Sequence, residues 1–302
     1  MRITVALGGN ALLRRGEPPS AQNQRANVRK AAKALAELVA AGHQIVVTHG
    51  NGPQVGLLAL QAAAGPADGA YPLDILDAES EGMIGYLIEQ ELAGLLPGRA
   101  LATLLTLVEV DRSDPAFSRP TKPIGPLYDE ATARRMEAER GWCVAPDGVG
   151  WRRVVASPMP VKIMEAATIA MLVEHDVTVI CGGGGGIPVV ERPDGSLQGV
   201  EAVIDKDFAS DLLARGLGAD MLLLLTDVDA VYDAFGTPDA RAIRLGTPAS
   251  LSPARFPAGS MRPKLSAALA FAEATGRPAA IGRLEDAPAI VAGTQGTRIE
   301  AR

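Results

Sequence analysis

Short apolar runs and helical patterns alternate along the chain. Residues 3–7, 44–48 and 177–181 are strand-length apolar runs, and each ends in glycine-rich sequence. Between the first two runs, apolar residues recur at spacings of three and four, which predicts an amphipathic helix. This order of strand, loop and helix predicts a parallel sheet that is covered by helices.

Later segments continue the same pattern. Residues 163–173 and 207–216 predict helices, and another helix is expected to begin near Pro263. Residues 221–226 are almost all apolar, which is typical of a strand buried on both faces, and residues 279–282 predict a final strand. Ligands of such sheets bind at the carboxyl ends of the strands, so we expect the three glycine loops to meet at one edge.

One long segment interrupts this pattern. Residues 111–157 are rich in Pro, Arg, Asp and Glu, and Pro146-Asp147-Gly148 is a turn signal. So long a polar stretch inside an α/β domain is not expected to be a plain loop. We therefore predict a single domain over residues 1–302 in which residues 111–157 form a protruding subdomain or lid.

Composition narrows the functional class. The 302 residues are 47% hydrophobic and 21% charged, which is typical of a globular protein. The net charge of −6 argues against a nucleic-acid partner, and no apolar run is long enough to span a membrane. The start of the chain resembles a strand and not a signal peptide. Cys143 and Cys181 lie far apart without zinc-ligand spacing, so we expect free thiols and a cytoplasmic location.

The glycine loops suggest an anionic ligand. Consecutive main-chain N–H groups can form a nest that holds phosphate oxygens, and a following helix N-terminus adds its dipole. A single such loop is more often only a tight turn, but three loops, two of which also carry Asn, favour a polyanion such as a nucleotide. The Walker A and dinucleotide motifs are absent, because Ile187 and Pro188 follow the five glycines.

Three lysines provide candidate chemistry for phosphoryl transfer, which depends mainly on positioning and charge neutralisation. Lys122 lies between prolines, and Lys206 and Lys264 lie at predicted helix starts. One cation at about 4 Å from a phosphate oxygen contributes roughly 4 kcal/mol, or about a thousandfold in rate. Asp205 and Asp207 could bind Mg²⁺ or orient the lysines. We favour orientation for Asp207, because Mg²⁺ on a nucleotide takes most of its ligands from phosphates and water.

Eight segments, in order, resemble the motifs of the carbamate kinases, which belong to the amino-acid kinase superfamily. They are VALGGNAL, THGNGPQVG, ESEGMIGYLIEQEL, DPAFSRPTKPIGP, CGGGGGIPVV, EAVIDKDFAS, LTDVDAVY and GSMRPK. The resemblance covers essentially the whole chain. GNGPQVG and PTKPIGP are specific to carbamate kinases, whereas the glycine loops alone would indicate only the superfamily.

The resemblance implies an open three-layer αβα sandwich with a mainly parallel sheet, and a homodimer to which the helix at residues 83–92 contributes. It also implies reversible phosphoryl transfer between ATP and carbamate with Mg²⁺. The implied physiological direction makes ATP from ADP and carbamoyl phosphate, after arginine or agmatine breakdown.

The resemblance also assigns roles to individual residues. The implied catalytic residues are Lys122, Lys206, Asp207 and Lys264. The implied contacts to phosphate and the small substrate are Gly8, Gly9, Asn10, Gly50, Asn51 and Gly52. The implied nucleotide contacts are Gly182, Gly183, Gly184, Thr226, Asp227, Val228, Tyr232 and Met261. No protein ligand to the metal is predicted.

Two positions qualify this picture. Arg262 stands where the family pattern leads us to expect a small or apolar residue, so it is either a solvated arginine or a nucleotide contact. His49 is expected to shape its loop, because the nucleophile of carbamate is already anionic and needs no base.

Two other functions stay open at this point. A related kinase could act on another small acid, although PTKPIGP argues against it. A nucleotide-binding regulator without activity is the other alternative, but it predicts the loss of at least one of the three lysines, and all three are present.

Overall fold

The computed structural model describes residues 1–13, 17, 18, 20–65, 71–256 and 259–302, apart from the side chains of Asn10 and Ala11. The helices of this part of the chain are α1 (Gly9–Leu12), α2 (Ala21–Ala40), α3 (Gly52–Ala64), α4 (Leu73–Leu95), α5 (Glu130–Arg140), α6 (Ala166–Glu174), α7 (Lys206–Gly216), α8 (Met261–Thr275) and α9 (Ala287–Val291). The strands are β1 (Arg2–Leu7), β2 (Gln44–His49), β3 (Leu101–Thr103), β4 (Leu107–Val110), β5 (Lys122–Tyr128), β6 (Cys143–Asp147), β7 (Gly150–Val155), β8 (Pro160–Ile163), β9 (Thr178–Ile180), β10 (Ile187–Glu191), β11 (Leu197–Gly199), β12 (Met221–Thr226), β13 (Val231–Asp233), β14 (Arg241–Ile243), β15 (Leu245–Gly246), β16 (Ala279–Arg283) and β17 (Thr297–Ile299).

The main sheet has eight strands in the order β15-β17-β16-β12-β1-β2-β9-β3. Among its described pairs, only β16 and β17 run antiparallel. Strand β1 lies at the centre, where Ile3 is opposite Ile45 on one side and Met221 on the other. The prediction of a mainly parallel sheet is therefore confirmed.

Helices cover both faces of this sheet. Because side chains alternate along a strand, Ile3, Val5 and Leu7 of β1 share a core with α2 and α4. Ala6 points to the opposite face and belongs to the core that includes α8. Both faces of β1 are fully buried, as expected of a central parallel strand. The predicted three-layer αβα sandwich is confirmed.

Local signals set the limits of α2. The Ser20 hydroxyl caps its N-terminus by accepting a hydrogen bond from the Asn23 N–H. The helix ends before Gly42, whose φ of +83° is easily adopted only without a side chain. Between these limits, buried side chains recur at spacings of three and four. The periodic pattern in the sequence therefore corresponds to the face that packs on the sheet.

Residues 122–155 form a separate antiparallel sheet, β5-β7-β6, with helix α5. The predicted turn at residues 146–148 joins β6 to β7. Two guanidinium groups pack on the ring of Trp142, with the Cζ atoms of Arg140 and Arg153 at 5.4 Å and 4.6 Å from its centroid. These elements fall inside residues 111–157, and their behaviour as a lid stays a prediction.

Several details differ from the sequence-based expectations. Residues 163–173 do not form one helix, since Ile163 pairs with Val108 in a sheet and α6 begins only at Ala166. Strand β16 is not the last one, because β17 returns antiparallel to it. Cys143 and Cys181 are free thiols, as predicted.

Two glycines bring the small sheet close to α3. A Cβ added to Gly56 of α3 would overlap the backbone of Gly125 in β5, and Gly125 itself has a φ of +73°. Since backbone atoms cannot yield as a flexible side chain can, this contact requires glycine at both positions. It seats strand β5, and with it Lys122, against the body of the protein.

A glycine-to-alanine comparison tests this contact. Gly56→Ala is expected to lower the free energy of unfolding by about 1–3 kcal/mol, because the added methyl group forces α3 and β5 apart. Gly94→Ala is the matched control, since nothing lies within 4 Å of a Cβ at that helical position. It is expected to gain about 0.5–1 kcal/mol in helix stability. Denaturant unfolding measures both, and equal stability of the two variants would contradict the proposed close approach.

Candidate active site

Three glycine loops meet at one edge of the main sheet. They follow β1, β2 and β9, which are neighbouring parallel strands. A Cβ on Gly50 would lie 2.9 Å from the nitrogen of Gly9, so the first two loops are in direct contact. The expected convergence of these loops is present in the structure.

The first two loops differ in which N–H groups remain available. The N–H of Gly8 donates to Leu225 O at 2.9 Å, and that of Gly50 donates to Leu7 O at 3.0 Å. The N–H groups of Gly9 and Gly52 lie in the first turns of α1 and α3, where no carbonyl of the same helix can reach them. Gly9 and Gly52 are therefore better placed to hold an anion than Gly8 and Gly50. The side chain of Asn10 lies outside the described atoms.

The five-glycine loop has an internal reason for its composition. Gly182, Gly184, Gly185 and Gly186 all have φ between +61° and +101°. A Cβ on Gly183 would overlap the His49 ring. Tight packing against neighbouring elements thus requires these glycines whether or not a ligand is bound.

The N–H groups of this loop are mostly used inside the protein. Gly182 donates to the Thr106 hydroxyl and Gly183 to the Glu81 carboxylate, and Gly185 and Gly186 donate to carbonyls within the loop. The expectation that this loop forms a nest of free N–H donors is wrong for these four amides. Contact of Gly182, Gly183 and Gly184 with a nucleotide stays a prediction.

The three candidate lysines form one network with two aspartates. Lys122 Nζ lies 2.9 Å from Asp205, Lys206 Nζ lies 2.5 Å from Asp207, and Lys264 Nζ lies 3.0 Å from the other oxygen of Asp207. These lysines come from β5, α7 and α8 respectively. Asp205 is the N-cap of α7, where its carboxylate also accepts the Asp207 N–H. The fold therefore assembles the residues that the sequence singled out separately.

Burial and neighbouring charges set the protonation of this network. Burial lowers the pKa of Lys206 to about 8, Asp207 opposes that effect, and the charge of Lys264 adds to it. Burial also acts to lower the pKa of Lys264, but Asp207 and Asp205 outweigh it, so that pKa is raised. Burial alone would raise the pKa of Asp205, but Lys122 and Lys206 reverse this and lower it. Three lysines therefore face two aspartates, which leaves an excess of one formal positive charge.

A buried polar group behind these loops was not predicted. Asp77, Ser80 and Glu81 of α4 are at most 1% exposed. Asp77 and Ser80 both accept hydrogen bonds from the side chain of Asn51. Burial raises the pKa of Glu81 to about 8 and that of Asp77 well above its usual range. The feature of the sequence that could have indicated this group is the spacing of Ser80 and Glu81 at three and four residues after Asp77, which puts all three on one face of the helix.

His49 is sealed inside the same region. Burial lowers its pKa to about 4, so the imidazole is neutral at neutral pH. Its ring packs against Gly183, as the effect of a Cβ there shows. These observations favour a role in shaping the loop over one as a base.

The residues predicted for the nucleotide lie at or beyond the end of β12. The Thr226 hydroxyl donates to Asp227 at 3.1 Å, and Thr226 lies beside the loop of Gly8. Val228 follows and is partly buried. Since β12 is the neighbour of β1, these residues share the edge of the glycine loops.

The other predicted nucleotide contacts lie on flanking elements. Met261 lies at the start of α8, one turn before Lys264. The Tyr232 hydroxyl on β13 donates to Asp229 at 2.9 Å. Arg262 is exposed, and its Nε donates to the carbonyl of Phe256 at 3.0 Å, so both alternatives for this residue stay open.

Comparisons with known proteins agree with this arrangement. The model of the amino acid kinase family matches residues 1–283. The chain is 56% identical to a carbamate kinase of Rhizobium meliloti (strain 1021), covering 100% of this chain and 94% of that protein. It is 46% identical to a carbamate kinase of Pyrococcus furiosus, covering 99% and 98%. A solved structure of carbamate kinase from Giardia lamblia bound to AMP-PNP is 39% identical, with a TM-score of 0.90 and coverage of 100% and 98%. The chain belongs to the amino acid kinase family.

Proposed function

We propose that this protein transfers a phosphoryl group reversibly between ATP and carbamate. The observation that carries the proposal is the network of three lysines and two aspartates beside the converging glycine loops. Sequence similarity supports carbamate as the substrate, because relatives with identities of 44–56% over nearly the whole chain are carbamate kinases.

The reaction exchanges one P–O bond for another. An oxygen of carbamate attacks the γ-phosphorus, the bond to the oxygen bridging the β- and γ-phosphates breaks, and the products are ADP and carbamoyl phosphate. The carbamate oxygen is already anionic, so no base has to remove a proton. Catalysis then requires in-line positioning and neutralisation of charge on the moving group.

The lysines are suited to that neutralisation. Lys206 and Lys264 lie in the first turns of two different helices and share the carboxylate of Asp207, so their ammonium groups converge on it from two elements. We assign these two lysines to the transferred phosphoryl group and Asp207 to their positioning. Lys122 approaches from β5, and its ion pair with Asp205 joins the small sheet to α7. We propose that residues 111–157 act as a lid that brings Lys122 to the substrate.

The first turn of α3 is the best candidate for holding the small anion. Asn51 is its N-cap, and among the described residues a Cβ on Gly52 would meet nothing within 4 Å, so the Cα of Gly52 borders open space. Helix N-termini favour negative charge, because their N–H groups have no partners in the helix. We assign Gly52, together with Gly9 at the start of α1, to substrate oxygens.

We propose ATP and ADP as the nucleotide substrates and Mg²⁺ as their metal ion. Among the described residues, no group of three or more His, Cys, Asp or Glu side chains is placed to hold a metal. Asp205 and Asp207 are both engaged by lysines, so the residues present fit an ion held mainly by phosphates and water. Such an ion would neutralise phosphate charge and orient the nucleotide.

We also propose a homodimer. Ile75, Met83 and Tyr86 are exposed apolar side chains on one side of α4, and the exposed side chain of Leu105 lies beside Gly82 of the same helix. A group of exposed apolar side chains on one helix is typical of a subunit interface.

None of the helices in the described part of the chain is both long and apolar enough to cross a membrane. We propose a cytoplasmic location and a role in arginine or agmatine catabolism, both on the strength of the resemblance to carbamate kinases.

An assay of ATP formation tests the activity. The protein with carbamoyl phosphate, ADP and Mg²⁺ is expected to form ATP, and Lys206→Ala to lower the rate roughly a thousandfold, because one buried cation is lost from the transition state. Lys30→Ala, on the exposed side of α2, is the control and should leave the rate unchanged. Turnover of another acyl phosphate but not of carbamoyl phosphate would contradict the proposed substrate. Full activity of Lys206→Ala would contradict the assigned role.

The pH dependence tests the charge of Lys206. Because its pKa is lowered to about 8, raising the pH through this value removes its proton, and kcat/KM should fall above pH 8. A bound phosphate stabilises the protonated form, so the fall in kcat should lie at higher pH. Lys206→Arg keeps its charge to a pH of about 12 or more, and its residual activity should lack the fall near pH 8. An identical alkaline fall in this variant would assign the titration to another group.

A further inference from the structure

The side chain of Asn51 is held by two buried residues of α4. Its Nδ2 donates to Asp77 Oδ1 at 2.8 Å and to Ser80 Oγ at 2.9 Å. All three residues are at most 2% exposed. An amide nitrogen carries two hydrogens, so both donors of this side chain are used by the protein itself.

Ser80 determines which end of the amide faces α4. The Ser80 hydroxyl donates its single hydrogen to the backbone carbonyl of Asp77 at 3.0 Å. Toward Asn51 it can therefore only accept, and the amide must present its NH₂ group and not its oxygen. This orientation follows from the hydrogen-bond network and holds whether or not Asp77 carries a proton.

The glycine loop closes the other side of the amide. A Cβ on Gly184 would overlap the side-chain amide of Asn51, so the group is confined between α4 and the glycine loop. Within the described part of the chain, Asn51 Oδ1 accepts no hydrogen bond. It is also not among the side-chain atoms there that are both fully buried and without a hydrogen-bond partner. As far as the described residues go, the atom of this side chain left for a ligand is therefore a hydrogen-bond acceptor, on the residue between Gly50 and Gly52.

An acceptor at this position has a definite chemical preference. Phosphate and carboxylate oxygens are themselves acceptors and gain nothing from a carbonyl oxygen. Carbamate differs from acetate by an NH₂ group in place of a methyl group, and that group can donate.

We propose that Asn51 Oδ1 accepts a hydrogen bond from the amino group of carbamate or carbamoyl phosphate. Asp77 and Ser80 are positioning residues that keep this oxygen turned toward the substrate. Together they select the substrate against small acids that have no N–H group. The inference rests on the proposed function and specifies how its site recognises the substrate.

Loss of the Ser80 acceptor removes this fixed orientation. Burial raises the pKa of Asp77 well above its usual range, so this carboxyl can hold a proton and donate it to a reversed Asn51 amide. The NH₂ group of Asn51 would then face the amino group of the substrate, donor against donor. A site left with an unpaired polar group loses roughly ten- to a hundredfold in discrimination.

The experiment compares carbamoyl phosphate with acetyl phosphate, each with ADP and Mg²⁺, in the wild type, Ser80→Ala and Asp77→Asn. We expect the wild type to prefer carbamoyl phosphate. Ser80→Ala should lower the ratio of the two kcat/KM values roughly tenfold or more, through a loss on carbamoyl phosphate alone and with an unchanged KM for ADP. Asp77→Asn is the conservative control, because its amide oxygen can still accept from Asn51, and it should keep the wild-type ratio.

The possible results separate the two levels of the argument. Absence of ATP formation from carbamoyl phosphate in the wild type would overturn the proposed function. ATP formation with an unchanged substrate ratio in Ser80→Ala, or an equal loss with both substrates, would overturn only the inference on recognition. If thermal unfolding shows that Ser80→Ala does not fold, Asn51→Ala removes the acceptor directly. The ratio must then fall in that variant, and an unchanged ratio would overturn the inference.

Discussion

The two oxygens of the Asp207 carboxylate hold the ammonium groups of Lys206 and Lys264. Both lysines lie in the first turn of a helix, where the helix dipole is unfavourable for a cation. Two buried like charges at two helix N-termini can coexist only if an anion lies between them. Removing one member of a buried ion pair costs about 3–5 kcal/mol, so the starts of α7 and α8 are fixed relative to each other. The two ammonium groups and the two helix N-termini therefore make the potential in this region favourable for an anion before any substrate binds.

The sheet determines which other groups lie near these lysines. Strands β12, β1 and β2 are adjacent and parallel, so the segments that follow them lie at one edge. The first-turn amides of Gly9 and Gly52 belong to two of these segments. The small sheet contributes Lys122, and its position depends on the contact between Gly56 and Gly125. Several distant parts of the chain thus supply donors and cations to one region, which is what transfer between two anions requires.

The sequence predicted the elements whose signal is local. The buried strands are continuous apolar runs, the face of α2 has a helical period, and the alternation of the two leads to a parallel sheet. Short strands such as β17, with three residues, have too little pattern to be recognised. The boundary near Ile163 was missed because its pairing with Val108 is a long-range contact.

The candidate site was predictable to a similar extent. The aspartates beside Lys206 indicated its role as part of a charged group, but the pairing of Asp207 with Lys264 depends on how α7 packs on α8. Ser80 lies in the motif ESEGMIGYLIEQEL and Asp77 just before it, but neither could be assigned a role from the sequence, since their partner Asn51 is far away along the chain. The number of free N–H groups in the five-glycine loop could not be inferred either, because Glu81 and Thr106 reach those amides only in the folded chain.

The most direct measurement is a crystal structure of the protein with ADP, Mg²⁺ and a metal fluoride that mimics the phosphoryl group in transfer. We expect Lys206 Nζ and Lys264 Nζ both to lie within hydrogen-bond distance of the fluoride, with Asp207 still between them. A mimic bound away from both ammonium groups would contradict the central claim.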